Sequence, residues 1–342
     1  MKIFLKILFI LIVLTVIVGF AIFLTACSSP KIMGSILMFS SNKFLADVTM
    51  NDLVIKNQAC NLPRQFTLED VSLTLKQGKD TYMMSFGEIK ISEVMNIFSS
   101  GKGTILQIKE GAVRSSAFRL EGLNIELVSE SMQKWSGPAS AKKVESNGFQ
   151  VKGINAKVVV TDKDAVISGI SGDSYKGKIT GNAHVYFVPT PHYEADIAFE
   201  GLDTAEMEDI NLSFFSQVRG RIYGVIEVIG PAGGIENIDL DMRLGEDGEI
   251  QAKMLEPLLP YIPKSTQREN IKAVIKNNGR IRVNNAQMNL ADQDSKTISA
   301  DIRIQSEYLN LDINVTVDVI IEGGIQSLLK NLNQFSFFKK GS

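Results

Sequence analysis

Hydrophobic and polar side chains alternate along LNLDINVTVDVII, residues 309 to 321. Aliphatic residues occupy every odd position of this segment, and polar residues occupy the even positions up to Asp318. Since successive side chains of an extended chain point to opposite faces, the pattern predicts a strand with one aliphatic and one polar face. At about 3.3 Å per residue it is roughly 43 Å long, against about 5–6 residues for a common strand. So long an aliphatic face needs a cover, either a protein core or lipid.

The same period-two alternation recurs along most of the chain, in segments bounded by Gly, Pro, Asn or Asp. It predicts strands in FTLEDVSLTL (66–75), GEIKI (87–91), TILQIKEGAV (104–113), FRLEGLNIELV (118–128), KVVVTDKDAVISGI (157–170), GKITGNAHVYF (177–187), YEADIAFEGL (193–202), GRIYGVIEVIG (220–230), IDLDMRL (238–244) and ISADIRI (298–304). The segment 66–75 slips once out of register, and the segment 157–170 brackets the turn residues Thr161 to Asp164 as a hairpin does. Short intervals between turn signals are typical of an antiparallel meander.

Helical patterns are few and short. They occur in SEVMNIFSS (92–100), TAEMEDINLSFFSQV (204–218), KMLEPLLPYIP (253–263), STQRENIKAVIK (265–276) and IQSLLKNLNQF (325–335). The chain is therefore predicted to be mainly β, with a long antiparallel sheet and a few small amphipathic helices.

A stretch without periodicity suggests a division of the β-rich body. SMQKWSGPASAKKVESNG (131–148) is rich in Ser, Lys and Gly and has no regular alternation. We therefore expect an amino-terminal β-rich region at 31–135 and a second β-rich region at 150–335.

The amino terminus predicts a membrane anchor at 1–27. The twenty residues from Ile7 to Ala26 carry no charge. As a helix they span roughly 30 Å, the thickness of the hydrocarbon core of a bilayer. Lys2 and Lys6 precede this stretch and place the amino terminus in the cytoplasm. Two interpretations remain open, an uncleaved helix or a signal, and both place the chain from Ser28 onward outside the cytoplasm.

The stretch ends in Leu24-Thr25-Ala26-Cys27, which resembles a bacterial lipoprotein cleavage box. In lipoproteins the cysteine is acylated and becomes the new amino terminus, so Cys27 is a candidate acylation site. The apolar stretch is longer than the ~7–15 residues of an ordinary signal sequence, which favours an uncleaved helix.

Composition and motifs argue against several functional classes. Lys and Arg number 36 against 38 Asp and Glu, with no clustered basic stripe of the kind that nucleic-acid binding needs. Two Cys and two His (His184, His192) are too few for a zinc site, and no metal or other cofactor is expected. Phosphate-loop, HExxH, GxSxG and CxxC motifs do not occur in the sequence. We therefore expect a protein that is not an enzyme.

The segment from about residue 150 to 325 resembles the carboxy-terminal region of AsmA-like proteins, relatives of TamB. Three stretches carry the resemblance: YKGKITGNAHVYF, FEGLDTAEMEDI and, most closely, FSQVRGRIYGVIEVIGPAGGIENIDLDMRL with Gly220, Gly224 and Gly230. A single amino-terminal membrane segment also fits that family. This chain departs from the family in being much shorter than its best-known members and in carrying the Cys27 box.

The resemblance implies a curved, half-rolled sheet with a concave aliphatic groove that holds acyl chains. It implies a role in phospholipid transport between membranes or in outer-membrane biogenesis, in the bacterial cell envelope, with the body in the periplasm. The groove candidates are Ile222, Ile226, Val228, Leu311, Ile313, Val315, Val317 and Val319. The alternatives are an ordinary β-sandwich or barrel core and, for function, an envelope assembly factor that binds proteins instead of lipid.

Overall fold

A computed structural model describes most of the chain after residue 48. The described residues are 49–61, 64–77, 80–98, 101–116, 118–146, 148–188, 191–207, 217–231, 235–246, 248–262, 264–294, 297–307 and 311–320. The predicted anchor at 1–27, with Cys27, and the helix predicted at 325–335 lie outside these residues. Over the described ranges, no helix combines the length and the apolar character that crossing a bilayer requires.

The fold is mainly β, as the alternation predicts. Its strands are β1 (Thr49–Asn61), β2 (Gln65–Gln77), β3 (Asp80–Ser92), β4 (Ile105–Arg114), β5 (Phe118–Ser131), β6 (Lys134–Ser146), β7 (Phe149–Thr161), β8 (Asp164–Ser174), β9 (Gly177–Tyr186), β10 (His192–Asp203), β11 (Val218–Arg219), β12 (Arg221–Pro231), β13 (Asn237–Leu244), β14 (Gly248–Gln251), β15 (Arg280–Val283), β16 (Asn285–Asp294), β17 (Thr297–Ser306) and β18 (Leu311–Ile320). Fifteen of them form one antiparallel sheet in the order β1 to β10, β12, β13, β16, β17, β18. The strands β11, β14 and β15 form a second, small sheet.

Among the described residues there is one α-helix, α1 (Thr266–Lys276), where the pattern at 265–276 predicts it. Ser265 caps it by accepting a hydrogen bond from the Arg268 backbone N–H at 3.4 Å. The other described helices are short 3-10 segments at Val94–Phe98, Thr204–Met207 and Ala252–Tyr261. The last of these covers most of KMLEPLLPYIP, whose prolines lack the N–H that a continuous α-helix would need.

The chain divides into two compact units. The first holds the described residues up to Gly172 and the segment from Asn182 to His192; the second holds Asp173–Gly181 and the described residues from Tyr193 onward. The aperiodic stretch at 131–148 largely forms the strand β6, paired on one side with β5 and on the other with β7. The predicted domain bounds 31–135 and 150–335 stay predictions.

The first unit has a closed apolar core on one face of β2 to β5. Leu68 and Val113 are 0% exposed. Other buried apolar side chains of these strands are Phe66, Val71, Leu73, Leu75, Met84, Phe86, Ile91, Leu106, Ile108 and Leu120. Burial this complete excludes water and ligand from the face, so these residues serve the stability of the fold.

The slip in the alternation of 66–75 is a bend in the strand. Asp70 has φ 51°, and the buried positions change from even to odd across it. The strands β4 and β5 change in the same way, at Glu110 (φ 54°) and Gly122 (φ 64°), where the β4–β5 register shifts. Asn124 supports this bend, since its side chain accepts the Glu110 N–H at 3.2 Å and donates to the Gly122 carbonyl at 3.1 Å. Left-handed residues at a bulge bend a strand and increase its twist.

The second unit combines most of β10 and the long strands β12, β13, β16, β17 and β18 with a small cap. We define the cap as residues 248–283, which contain β14, the 3-10 helix Ala252–Tyr261, α1 and β15. Its core is apolar and nearly inaccessible at Ile250, Ala252, Leu255, Ile271, Ile281 and Val283. The Ser306 hydroxyl of β17 donates to the Arg282 carbonyl at 2.7 Å, so the cap adjoins the end of the strand β17.

Candidate functional site

The five strands β12, β13, β16, β17 and β18 present one continuous apolar face. Residues directly opposite each other in an antiparallel pair lie on the same face, so the register defines rows across the sheet. Row 1 is Ile222, Leu244, Ala286, Ile304 and Ile313; row 2 is Gly224, Met242, Met288, Ile302 and Val315; row 3 is Ile226, Leu240, Leu290, Ala300 and Val317. All fifteen positions are apolar. We call this surface the apolar face.

Burial decreases along the apolar face from row 1 to row 3. In row 1, Ile222 is 3% exposed and Ile313 is 6% exposed. In row 3 the described side chains of Ile226, Leu240 and Leu290 are only half-buried. Row 1 is also the row nearest the cap, because Ser306, which bonds to the cap, lies two residues beyond Ile304 on the same face. The apolar face is therefore buried in row 1 and half-buried at the described side chains of row 3, while Val228, two residues beyond Ile226 in β12, is again buried, at 8% exposure.

The opposite face of the same strands is mostly polar, although Val225 and Ile229 of β12 are exposed on it. Arg243 lies over the Tyr223 ring at 5.5 Å, and the Gln287 side chain donates to Asp241 at 3.3 Å. The Thr316 hydroxyl donates to Asp301 at 2.6 Å across the β17–β18 pair. These polar groups bond to one another at the surface, which identifies this side as the one that faces water.

Gly224 interrupts row 2 for a steric reason. A Cβ built there would lie 2.2 Å from the Asp241 carbonyl oxygen and 2.6 Å from Cζ of Phe199. No other residue type fits without moving the backbone of β13. The missing side chain leaves the space that the Phe199 ring of β10 occupies beside the apolar face.

The predicted groove residues fall on this face. Ile222, Ile226 and Val228 lie on it in β12, and Ile313 lies on it in β18, each buried or half-buried. Leu311, Val315, Val317 and Val319 occupy same-face register positions in β18, opposite Ser306, Ile302, Ala300 and Ile298. For these four residues the structure describes the backbone only. Cys27 lies outside the described residues.

Sequence reasoning predicted two of the three strands between β12 and β18 but named none of their residues as groove candidates. The pattern of β13 and β17 was visible in IDLDMRL and ISADIRI, yet their apolar residues were not among the candidates. The strand β16 was not predicted, although Ala286, Met288 and Leu290 recur at period two in NAQMNLADQD. That alternation could have predicted β16, the strand at the centre of the apolar face.

The two histidines lie together in the first unit. His184 Nε2 is 2.8 Å from Asp164 Oδ2, and Tyr186 stacks between His184 and His192 with ring centroids 3.9 and 4.1 Å apart. The hydrogen bonds from the Thr161 hydroxyl and from His184 hold the pKa of Asp164 below its usual value. In the part of the chain that the structure describes, no three His, Cys, Asp or Glu side chains are grouped to hold a metal ion. The contacts of Asp164 join the β7–β8 hairpin to β9.

Replacing Asp164 by Asn is expected to lower stability in a pH-dependent way. A carboxyl whose folded-state pKa is depressed stabilises the fold above its unfolded pKa of about 3.9, and this contribution is lost as the pH falls through the folded-state value. The melting midpoint of Asp164→Asn should therefore lie below that of the wild type at neutral pH and converge with it in acid. A constant difference from neutral to acidic pH would contradict this account.

Comparisons with known proteins give no support to a family assignment: no family model, curated protein or solved structure matches this chain.

Proposed function

We propose that this chain is a non-catalytic, membrane-tethered protein of the bacterial cell envelope that binds or conducts lipid, with acyl chains along the apolar face. The proposal keeps the AsmA-like resemblance and its roles, phospholipid transport between membranes or outer-membrane biogenesis. Its partners are membrane lipids, with no nucleic acid and no cofactor. A curved, half-rolled groove is part of this proposal.

The observation that supports it most is the half-burial of the described side chains of row 3, Ile226, Leu240 and Leu290. An acyl chain is apolar along its length and needs no hydrogen-bond partner, and the three rows supply none. Apolar surface removed from water contributes about 25 cal/mol per Å², so uncovered apolar rows stabilise the binding of a hydrocarbon chain. The contrast with the first unit supports the same conclusion, because its apolar face has no room for a ligand.

Native mass spectrometry of the full chain in mild detergent tests the proposal. We expect additional mass corresponding to one or more phospholipids, released on denaturation and identified by lipid extraction. A chain that shows only its own mass after purification from native membranes would favour the alternative, an assembly factor that contacts envelope proteins.

The anchor is tested separately by the intact mass of the membrane-bound protein. We expect a chain that begins at Met1, because the apolar run from Ile7 to Ala26 is long enough to span a bilayer. The body then lies in the periplasm and the anchor in the inner membrane. A chain that begins at an acylated Cys27 would instead identify a lipoprotein.

A further inference from the structure

The cap carries a positive charge in a chain that is slightly negative. Residues 248–283 contain seven Lys and Arg against three Glu and no Asp, whereas the whole chain has a formal net charge of -2. The excess is local and belongs to one small structural element. A basic surface favours an anionic partner.

Three of these charges lie along one side of α1, and a fourth precedes the helix. Arg268, Lys272 and Lys276 recur every four residues within α1, so they lie on neighbouring turns of one side, and Lys264 lies just before the cap residue Ser265. Arg268 is half-buried, and its guanidinium donates to the Ile262 carbonyl at 3.4 Å. The three lysines are exposed, whereas Ile271, on the buried side of the helix, is 0% exposed. We call these four residues the basic stripe.

Helix stability does not explain the basic stripe. Cations favour the carboxyl end of a helix, which accounts for Lys276 in the last turn. Lys264 lies just before the cap residue Ser265, and Arg268 lies in the first turn, where the helix dipole disfavours a cation. One pairing does offset the charge, since Lys272 Nζ is 2.7 Å from Glu269 Oε1. Arg268 instead donates to the Ile262 carbonyl, so part of the basic stripe has a structural role and the exposed lysines carry its remaining charge.

The small sheet extends the positive charge. Cross-strand pairing places Glu249 between Arg219 of β11 and Arg282 of β15, so one carboxylate faces two guanidinium groups in the row. Arg280 adds a further positive charge opposite the neutral Gln251. Over residues 248–283 the formal charge stays positive, with seven Lys and Arg against three Glu.

We propose that the cap docks on an anionic bilayer surface, with the basic stripe against lipid phosphates. Clusters of Lys and Arg bind anionic membranes through the negative surface potential. The cap adjoins the sheet that bears the apolar face, through the bond from Ser306 to Arg282. The inference rests on the proposed function, because it names the membrane surface with which a lipid-binding sheet exchanges its ligand.

Vesicle capture by the full chain tests this docking. The protein is reconstituted in neutral phosphatidylcholine vesicles, and capture of fluorescent acceptor vesicles is measured with phosphatidylcholine alone and with added phosphatidylglycerol. We expect capture of the anionic vesicles only, weakened by salt. The triple variant Lys264→Glu, Lys272→Glu, Lys276→Glu should lose about tenfold or more of this capture.

Two further variants keep the test specific. Lys142→Glu, Lys152→Glu, Lys157→Glu makes the same change of charge at exposed lysines of the first unit and should retain capture. The neutral variant Lys264→Gln, Lys272→Gln, Lys276→Gln controls for folding of α1, checked by circular dichroism, and should lose capture partially. Equal capture of neutral vesicles, no capture of either kind, or equal loss in the first-unit variant would overturn the inference. Lipid that co-purifies with each variant is measured as well. If docking fails while bound lipid remains, the docking inference is wrong and the proposed function is unaffected.

Discussion

Ile226→Asp is expected to remove co-purifying lipid while the protein stays folded. Ile226 lies in row 3 opposite Leu240, and both side chains are half-buried. A carboxylate at that position places charge where an acyl chain would lie, and desolvating it would cost several kcal/mol. In the lipid-free protein the carboxylate retains contact with water, so the cost to folding is smaller. We expect native mass spectrometry to show little or no bound phospholipid and circular dichroism to show an unchanged β signal.

Ile229→Asp is the matched control for this experiment. Ile229 belongs to the same strand, β12, but lies on the polar face opposite Asn237, with 42% of its surface exposed. The substitution is chemically identical, and surface changes of this kind usually alter stability by less than about 0.5 kcal/mol. Bound lipid should persist in this variant. Equal lipid loss in both isoleucine variants, or unfolding of Ile226→Asp, would count against an accessible apolar face.

Strands could be predicted well from the sequence because a strand with one buried face and one face in water alternates apolar and polar residues. The segment 118–128 is one example: its buried residues fall at Leu120 before the bend and at Leu123, Ile125 and Leu127 after it. The bends themselves were harder to predict. At Asp70 and Glu110 a non-glycine residue adopts a positive φ, for which composition gives little warning. The slip in alternation was the available signal.

The candidate face was predicted in part. The face of β12 and β18 follows from period two within each strand, which is local information. That β13, β16 and β17 lie between them depends on pairing between residues far apart in the chain, such as Leu244 with Ala286. The place of the cap beside Ser306, at the row 1 end of the face, is likewise not encoded by any periodicity.

Leu68→Asp is expected to have the opposite effect to Ile226→Asp and to unfold the first unit. Leu68 is 0% exposed in β2, opposite Ile89 of β3, which is itself 5% exposed. A carboxylate without a partner in such a core costs several kcal/mol, a large part of the roughly 5–15 kcal/mol that holds a domain folded. We expect loss of the cooperative thermal transition and rapid proteolysis. Ser72→Asp, at an exposed position of the same strand, should melt as the wild type does.

The contrast between the two aspartate substitutions distinguishes a closed core from an open face. The charge introduced is the same, and both sites lie on the apolar side of a long antiparallel sheet. If Leu68→Asp unfolds the protein and Ile226→Asp only removes lipid, the two apolar faces differ in whether protein alone covers them. If both substitutions unfold the protein, rows 2 and 3 are packed as tightly as the core of the first unit. That result would favour the alternative function, an assembly factor that binds proteins. A folded Leu68→Asp protein would mean that water reaches the core around Leu68, against its complete burial.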